Sequence, residues 1–212
     1  MPAYTVATTI LRRIQASRGS VWSAKDLLDL GSRAAVDQAL HRLSRDGRIR
    51  RVARGLYDYP RKGTLAGLRS PDPSAVATAA ARARGASARV TGAAAANAFG
   101  LTTQVPASAV YLTDGPARTI DLGRRRVRLS KVSGKRVALA GGAGMLIEAL
   151  RYLGKDAASA LSAADVRRVA SVLKPTDIQH LQKSAHVAPD WMRPVIGRVT
   201  ALGTAGLSLD SP

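Results

Sequence analysis

Apolar positions in the first third of the chain recur at helical spacing and then switch to alternation. Val6, Ile10, Leu11 and Ile14 share one face, which predicts a helix over Thr5–Ser17 that Arg18-Gly19 ends. Ser23 suits the N-cap of a short helix over Ala24–Leu30, with Leu27, Leu28 and Leu30 available to a core. Gly31 stops it. Ser32 then caps a third helix over Arg33–Arg45, which Asp46-Gly47 ends. A basic strand over residues 48–52, a turn at 53–55 and a returning strand at 56–59 follow, stopped by Pro60. Helix, short helix, a brief Gly-containing connection, longer helix and hairpin is the element order of a winged helix-turn-helix, expected here over residues 1–62.

Gly63–Pro73 reads as a linker, and Ser70-Pro71-Asp72-Pro73 prepares a helix start. Ala-rich helices are expected over 74–84 and 91–99, and strands over 110–113, 119–122 and 127–129, with turns at Asp114-Gly115-Pro116 and Gly123. After Gly144 the pattern is helical, over 145–153, 163–173, 176–185 and 191–202, with Ser162 and Thr176 as N-caps and a frayed end. The expected class is therefore α+β: an N-terminal winged helix-turn-helix, then a mixed α/β C-terminal domain over 63–212 with a small antiparallel sheet and a helical C-terminus. Trp22 and Trp191 are expected to anchor packing, as is at least one of Tyr57 and Tyr59.

Charge changes the picture. The chain carries 33 Lys plus Arg against 14 Asp plus Glu, a net of +19, and Arg predominates. An excess of that size is an argument about partners rather than fold, and the natural partner is a polyanion whose counterions are released on binding. A compositional preference for Arg, Ala and Gly accounts for part of the choice of Arg over Lys, but not for the shortage of acids. Residues 1–62 alone hold 13 basic side chains and 5 Asp.

The third predicted helix sets Val36, Ala39, Leu40 and Leu43 on one face and Ala34, Gln38, His41 and Arg45 on the other, with Arg42 at its edge. Such an outward face fits the major groove, where Gln pairs with adenine and Arg with guanine; a solvated polar face is the plain alternative. The hairpin favours the groove. Arg48, Arg50, Arg51 and Arg54 fall within seven residues that contain no acid, as a wing gripping phosphates would require. Alternation puts Arg48 and Arg50 together, opposite Ile49 and Arg51. With Arg33 at the helix start, these are the candidate DNA-binding residues. A second basic patch, Arg124, Arg125, Arg126, Arg128 and Lys131, lies on a later hairpin; a wider nucleic-acid footprint, an acidic protein partner and a solvated turn all fit it equally.

Catalytic signals are sparse, and no enzyme is expected. Absent cysteines exclude disulfides, Cys-ligated zinc and thiol nucleophiles. His180 and His186 are too far apart for a metal pair on one helix face, and the single Glu, Glu148, has no partner carboxylate for acid–base work. Gly141-Gly142-Ala143-Gly144 precedes a helix but lacks the GK[ST] ending of a P-loop, and Ser133-Gly134-Lys135 has no evident base. No cofactor and no metal are expected. The first residues show no signal peptide, and the weakly polar run 137–147 is too short to span a bilayer, so the expected location is cytoplasmic, away from membranes.

Several segments resemble the AbiEi-type antitoxins of type IV toxin–antitoxin systems: the wing ending Arg54-Gly55-Leu56-Tyr57-Asp58-Tyr59-Pro60, the block from Thr91-Gly92-Ala93 through Gly100-Leu101-Thr102-Thr103-Gln104-Val105-Pro106, and Tyr111-Leu112-Thr113-Asp114-Gly115-Pro116. The resemblance covers about residues 5–155, and the compact C-terminal part marks a shorter branch. It implies a winged helix that represses its own operon by binding promoter duplex DNA through Gln38, Arg42, Arg45 and the wing arginines. It also implies a C-terminal domain that counteracts a nucleotidyltransferase-like toxin. The alternative is a stand-alone winged-helix regulator whose C-terminal domain senses a ligand or protein. A nuclease is disfavoured by the lack of a clustered Asp/Glu/Lys metal site. No heptad seam calls for a coiled-coil dimer, so a monomer is expected.

Overall fold

The computed structural model describes residues 5–63, 67–104, 108–123, 125–134, 139 and 141–207, and it is an α+β protein with a helical C-terminus. The expected frayed end, 208–212, lies outside the described residues, as do residues 64–66 of the linker. Two compact units divide the chain: Met1–Ala88 with Gly115–Lys131, and Arg89–Asp114 with Val132–Pro212. The first therefore takes in more than residues 1–62, adding a helix and a later hairpin.

In the first unit, α1 (Val6–Ala16) starts where Thr5 accepts a hydrogen bond from the Thr8 amide. A 3-10 helix (Ala24–Leu30) is held by a capping box in which Asp26 accepts from the Ser23 amide at 2.7 Å. α2 (Arg33–Arg45) begins at Ser32, whose side chain accepts from the Ala35 amide, and ends at Asp46. Ile10, Ile14, Leu27, Val36 and Leu40 bury between these helices with Ile49, and Trp22, Tyr57 and Tyr59 pack at the edge of that core. Burial of each large aliphatic side chain is worth about 1.5–3 kcal/mol, so this cluster fixes the angle of α2.

A three-stranded antiparallel sheet, in the order β1 (Val21–Trp22), β3 (Leu56–Asp58), β2 (Arg50–Ala53), completes this part of the unit. Gly55 takes φ +75° in the β2–β3 turn, where a side chain would be strained. α3 (Pro73–Arg82) has Asp72 as cap, accepting from the Ser74 and Ala75 amides, with Pro73 at the first helical position. It packs on β1 and β3. Arg82 fastens it: Nε donates to Asp26 at 2.6 Å, and Nη2 donates to Asp26 and to the Val21 carbonyl, each at 3.1 Å. Burial alone would raise the Asp26 carboxyl, but the Arg82 and Ser23 hydrogen bonds outweigh it and hold the carboxyl below its ordinary value. β6 (Arg118–Asp121) and β7 (Arg126–Lys131) form an antiparallel hairpin whose Ile120, Val127 and Leu129 are buried, and β7 packs against α3.

In the second unit, β4 (Ala88–Val90) is the neighbour of β5 (Ser108–Thr113), and α4 (Ala93–Ala98) follows β4. The helical remainder comprises α5 (Gly141–Ser159), broken at Gly154, then α6 (Ala163–Val172), α7 (Pro175–Ser184) and α8 (Arg193–Leu207). Phe99, Leu146, Leu150, Leu181, Met192 and Ile196 are its largest fully buried side chains, and Trp191 packs at the margin. Ser162 caps α6 as expected, but α7 starts at Lys174, with Pro175 rather than Thr176 taking the first position. Among the described residues, no helix is long and apolar enough to cross a membrane.

Candidate nucleic-acid interface

The outward face of α2 follows from its buried one. Val36, Ala39, Leu40 and Leu43 are committed to the core, so Ala34, Gln38, His41, Arg42 and Arg45 are exposed. Gln38, His41 and Arg42 have no side-chain partner among the described residues. Arg33 is bound to Asp37 one turn on, Nε to carboxylate 2.7 Å, and Arg45 to Asp46 at 3.2 Å. Both pairs are solvent-exposed and worth at most about 1 kcal/mol, so either arginine can exchange its acid for a phosphate at little cost.

The β2–β3 hairpin departs from simple alternation. Ala53 pairs with Leu56, but Arg51 pairs with Tyr57 and Arg50 with Asp58, so Val52 is an extra residue in the ladder. The bulge brings Arg50 directly across from Asp58. Arg50 grips that buried carboxylate at 2.9 and 2.5 Å and donates to the Arg69 carbonyl at 2.9 Å. Arg50 is thus a strut of the sheet and not, with Arg48, part of a free basic face. Arg48, Arg51 and Arg54 remain exposed and make no ion pair among the described residues.

On the second basic patch, Arg126 and Arg128 alternate outward from buried Val127 and Leu129, and Arg125 and Lys131 are exposed. Arg126 approaches Asp121 only loosely, at 3.7 Å. Arg124 lies outside the described residues. Two arginines that the pattern alone did not single out, Arg118 and Arg84, belong to the same unit, and Arg118 reaches the β2–β3 turn. Arg118, half-buried on β6, donates from Nη2 to the Arg54 carbonyl at 3.2 Å. Its guanidinium is pushed below its usual range, first by burial and then by the neighbouring charges of Arg84 and Arg54. Arg84 follows α3 directly. No local spacing announces this meeting, because the three residues come from separate segments.

The other candidates are accounted for by packing. The Gly141–Gly144 run serves an internal anion: Asp177 accepts from the Gly142 amide at 2.9 Å and from the Ala143 amide at 3.4 Å, and its other oxygen accepts from Lys174 at 3.1 Å. A Cβ at Gly141 or Gly142 would stand 2.6 or 2.7 Å from that carboxylate, which explains glycine there and leaves no room for a nucleotide phosphate. Buried Glu148 accepts from the Thr91 hydroxyl at 2.7 Å. His180 and His186 are exposed, Lys135 lies outside the described residues, and among the described residues no three His, Asp or Glu side chains are grouped to hold a metal.

Residues 9–181 match a family of unknown function, DUF6088. No curated protein matches. Among solved structures, the RV2827C protein from Mycobacterium tuberculosis is 17% identical, with 98% of this chain and 82% of that one covered at a TM-score of 0.41, a likeness too loose to transfer a fold or a property.

Proposed function

Because the chain belongs to a family of unknown function, DUF6088, its role must be read from its own residues, and we propose that it is a DNA-binding protein whose N-terminal unit works as a winged helix-turn-helix. In this reading α2 enters the major groove, and the β2–β3 hairpin is the wing beside the backbone. One observation carries it. Every Asp in residues 1–62 is engaged by an arginine — Asp26 by Arg82, Asp29 by Arg13, Asp37 by Arg33, Asp46 by Arg45 and Asp58 by Arg50 — while Gln38, His41, Arg42, Arg48, Arg51 and Arg54 stand exposed without an acid. Such a surface has its own negative charge spent and its positive charge free for phosphates.

Gln38 and Arg42 are the base readers, and Arg48, Arg51 and Arg54 the backbone contacts. Arg33 and Arg45 join by leaving their exposed acids. The resemblance to AbiEi-type antitoxins extends the proposal: the duplex is the protein's own promoter, and the C-terminal part counteracts a nucleotidyltransferase-like toxin in the cytoplasm. Fluorescence anisotropy of the full chain across a salt series tests the binding, with duplex from upstream of its gene against a shuffled duplex. Preference for the upstream piece by roughly a thousandfold supports a repressor. Equal, salt-sensitive binding to both would overturn base reading by α2. For the antitoxin half, co-expression with a toxin-like neighbouring gene should restore growth, and unrelieved growth arrest would overturn it.

A further inference from the structure

We propose that Arg54, Arg84 and Arg118 form a clamp for one backbone phosphodiester of the bound duplex, beside the wing turn and outside the contact made by α2. The inference rests on the reading of the first unit as a DNA binder and adds a site to it. Its three members come from the β2–β3 turn, the end of α3 and the start of β6. Pairing of β6 with β7 sets Arg118 opposite Leu129, on the same face as buried Ile120 and Val127. Its stem is therefore held among apolar neighbours, and only the guanidinium reaches out, one N–H donating to the Arg54 carbonyl at 3.2 Å. That bond fixes the head of the side chain and leaves its remaining donors free.

Among the described residues, no carboxylate pairs with any of the three. In this unit Asp26, Asp37, Asp46, Asp58 and Asp121 all lie against other arginines. Guanidinium groups stay protonated at every physiological pH, so their mutual repulsion cannot be relieved by losing a proton. An anion between them relieves it, and the planar forks suit phosphate oxygens. The turn is uncrowded at Gly55, where an added Cβ would meet nothing within 4 Å. Arg126 and Arg128 pair with Asp121 and Thr119 on the opposite face of the hairpin and stay outside the clamp.

Arg84→Gln is the decisive variant, because the Arg84 side chain makes no hydrogen bond or ion pair among the described residues and its loss should leave the melting temperature unchanged. Full-length wild type, R84Q and R84K are titrated into labelled upstream and shuffled duplexes across a salt series, with Arg42→Ala alongside. The clamp predicts that R84Q weakens both duplexes alike, by about three- to tenfold, and flattens the log K against log salt slope by about 0.9, while R84K keeps most of that slope. An unchanged slope for R84Q, with R42A losing its preference for the upstream duplex, would overturn the clamp and leave the DNA-binding reading intact. A loss confined to the upstream duplex would make Arg84 a base reader and also overturn the clamp. Failure of wild type to bind either duplex would sink both readings.

Discussion

Each of the two units is built round an apolar core, yet their surfaces differ sharply. The first holds 22 Lys plus Arg against 7 Asp, a net of +15, whereas the second holds 11 against 7, a net of +4. In the second unit acids are used locally: Asp165 and Asp190 pair with Arg168 and Arg193, Glu148 lies near Arg151, and Asp177 neutralises a helix start. In the first, Asp26, Asp29, Asp37, Asp46, Asp58 and Asp121 lie against arginines and Asp72 caps α3, but arginines are left over. What separates the units is thus the surplus of cations that the acids cannot reach, and that surplus gathers on α2, the β2–β3 turn and the β6–β7 hairpin. Folding cannot require it, since unpaired like charges destabilise the compact state, and the proposed duplex is what would offset it.

The largest expected effects test whether the cores are alike. Leu40, 1% exposed on the inner face of α2, and Leu150, fully buried in α5, should each cost about 2–5 kcal/mol on truncation to Ala, measured by urea denaturation. A cost well under 1 kcal/mol at either position would show that its unit is held by something other than the cluster described. Next comes Asp177→Ala, which strips a buried carboxylate from the Gly142, Ala143 and Lys174 amides and should cost about 1–3 kcal/mol. If Asp177→Ala were neutral, the glycine run would have been free to serve another anion.

Arg42→Ala should cost about 1–3 kcal/mol on the upstream duplex and much less on shuffled DNA. Arg168→Ala, which removes an exposed cation already paired with Asp165 in the second unit, should leave both affinities unchanged. Equal losses from the two variants would mean that total charge, not its placement on the first unit, drives binding.

How far the chain's pattern reveals this arrangement differs element by element. α2 is legible to the residue because its signals are local: Ser32 caps it, Asp46-Gly47 ends it, and the buried positions fall at helical spacing. The role of Arg50 is not legible, because a bulge at Val52 shifts the register by one and places Arg50, rather than Arg51, across from Asp58. β1 and β4 are too short to show alternation. The 115–131 hairpin is locally visible as two strands, but its membership in the first unit depends on packing against α3, a contact between residues some fifty apart. The Gly141–Gly144 run is similarly ambiguous until Asp177, far along the chain, fills it.

The smallest expected effect concerns acid. Both units contain an aspartate held below its ordinary pKa, but by different means. Asp165 is lowered first by the Ser162 hydroxyl and then by the Ser162 amide, at the solvent-facing start of α6. Asp26 is lowered against its own burial, by Arg82 and Ser23, where α3 is fastened to the 3-10 helix. A carboxyl depressed in the folded state stabilises it fully above the unfolded pKa of about 3.9, and that contribution is lost as pH falls through the lower folded value. Both aspartates should therefore steepen the loss of stability below about pH 4. Added salt separates them, since a solvent-facing charge is screened at a Debye length of about 3 Å in 1 M salt and a partly buried pair is not. In acid melts at high salt, Asp26→Asn should still flatten the pH dependence relative to wild type, while Asp165→Asn should not. Salt erasing the Asp26 effect as well would show that α3 is held to the first unit by its apolar contacts alone, with Arg82 a surface cation like the rest.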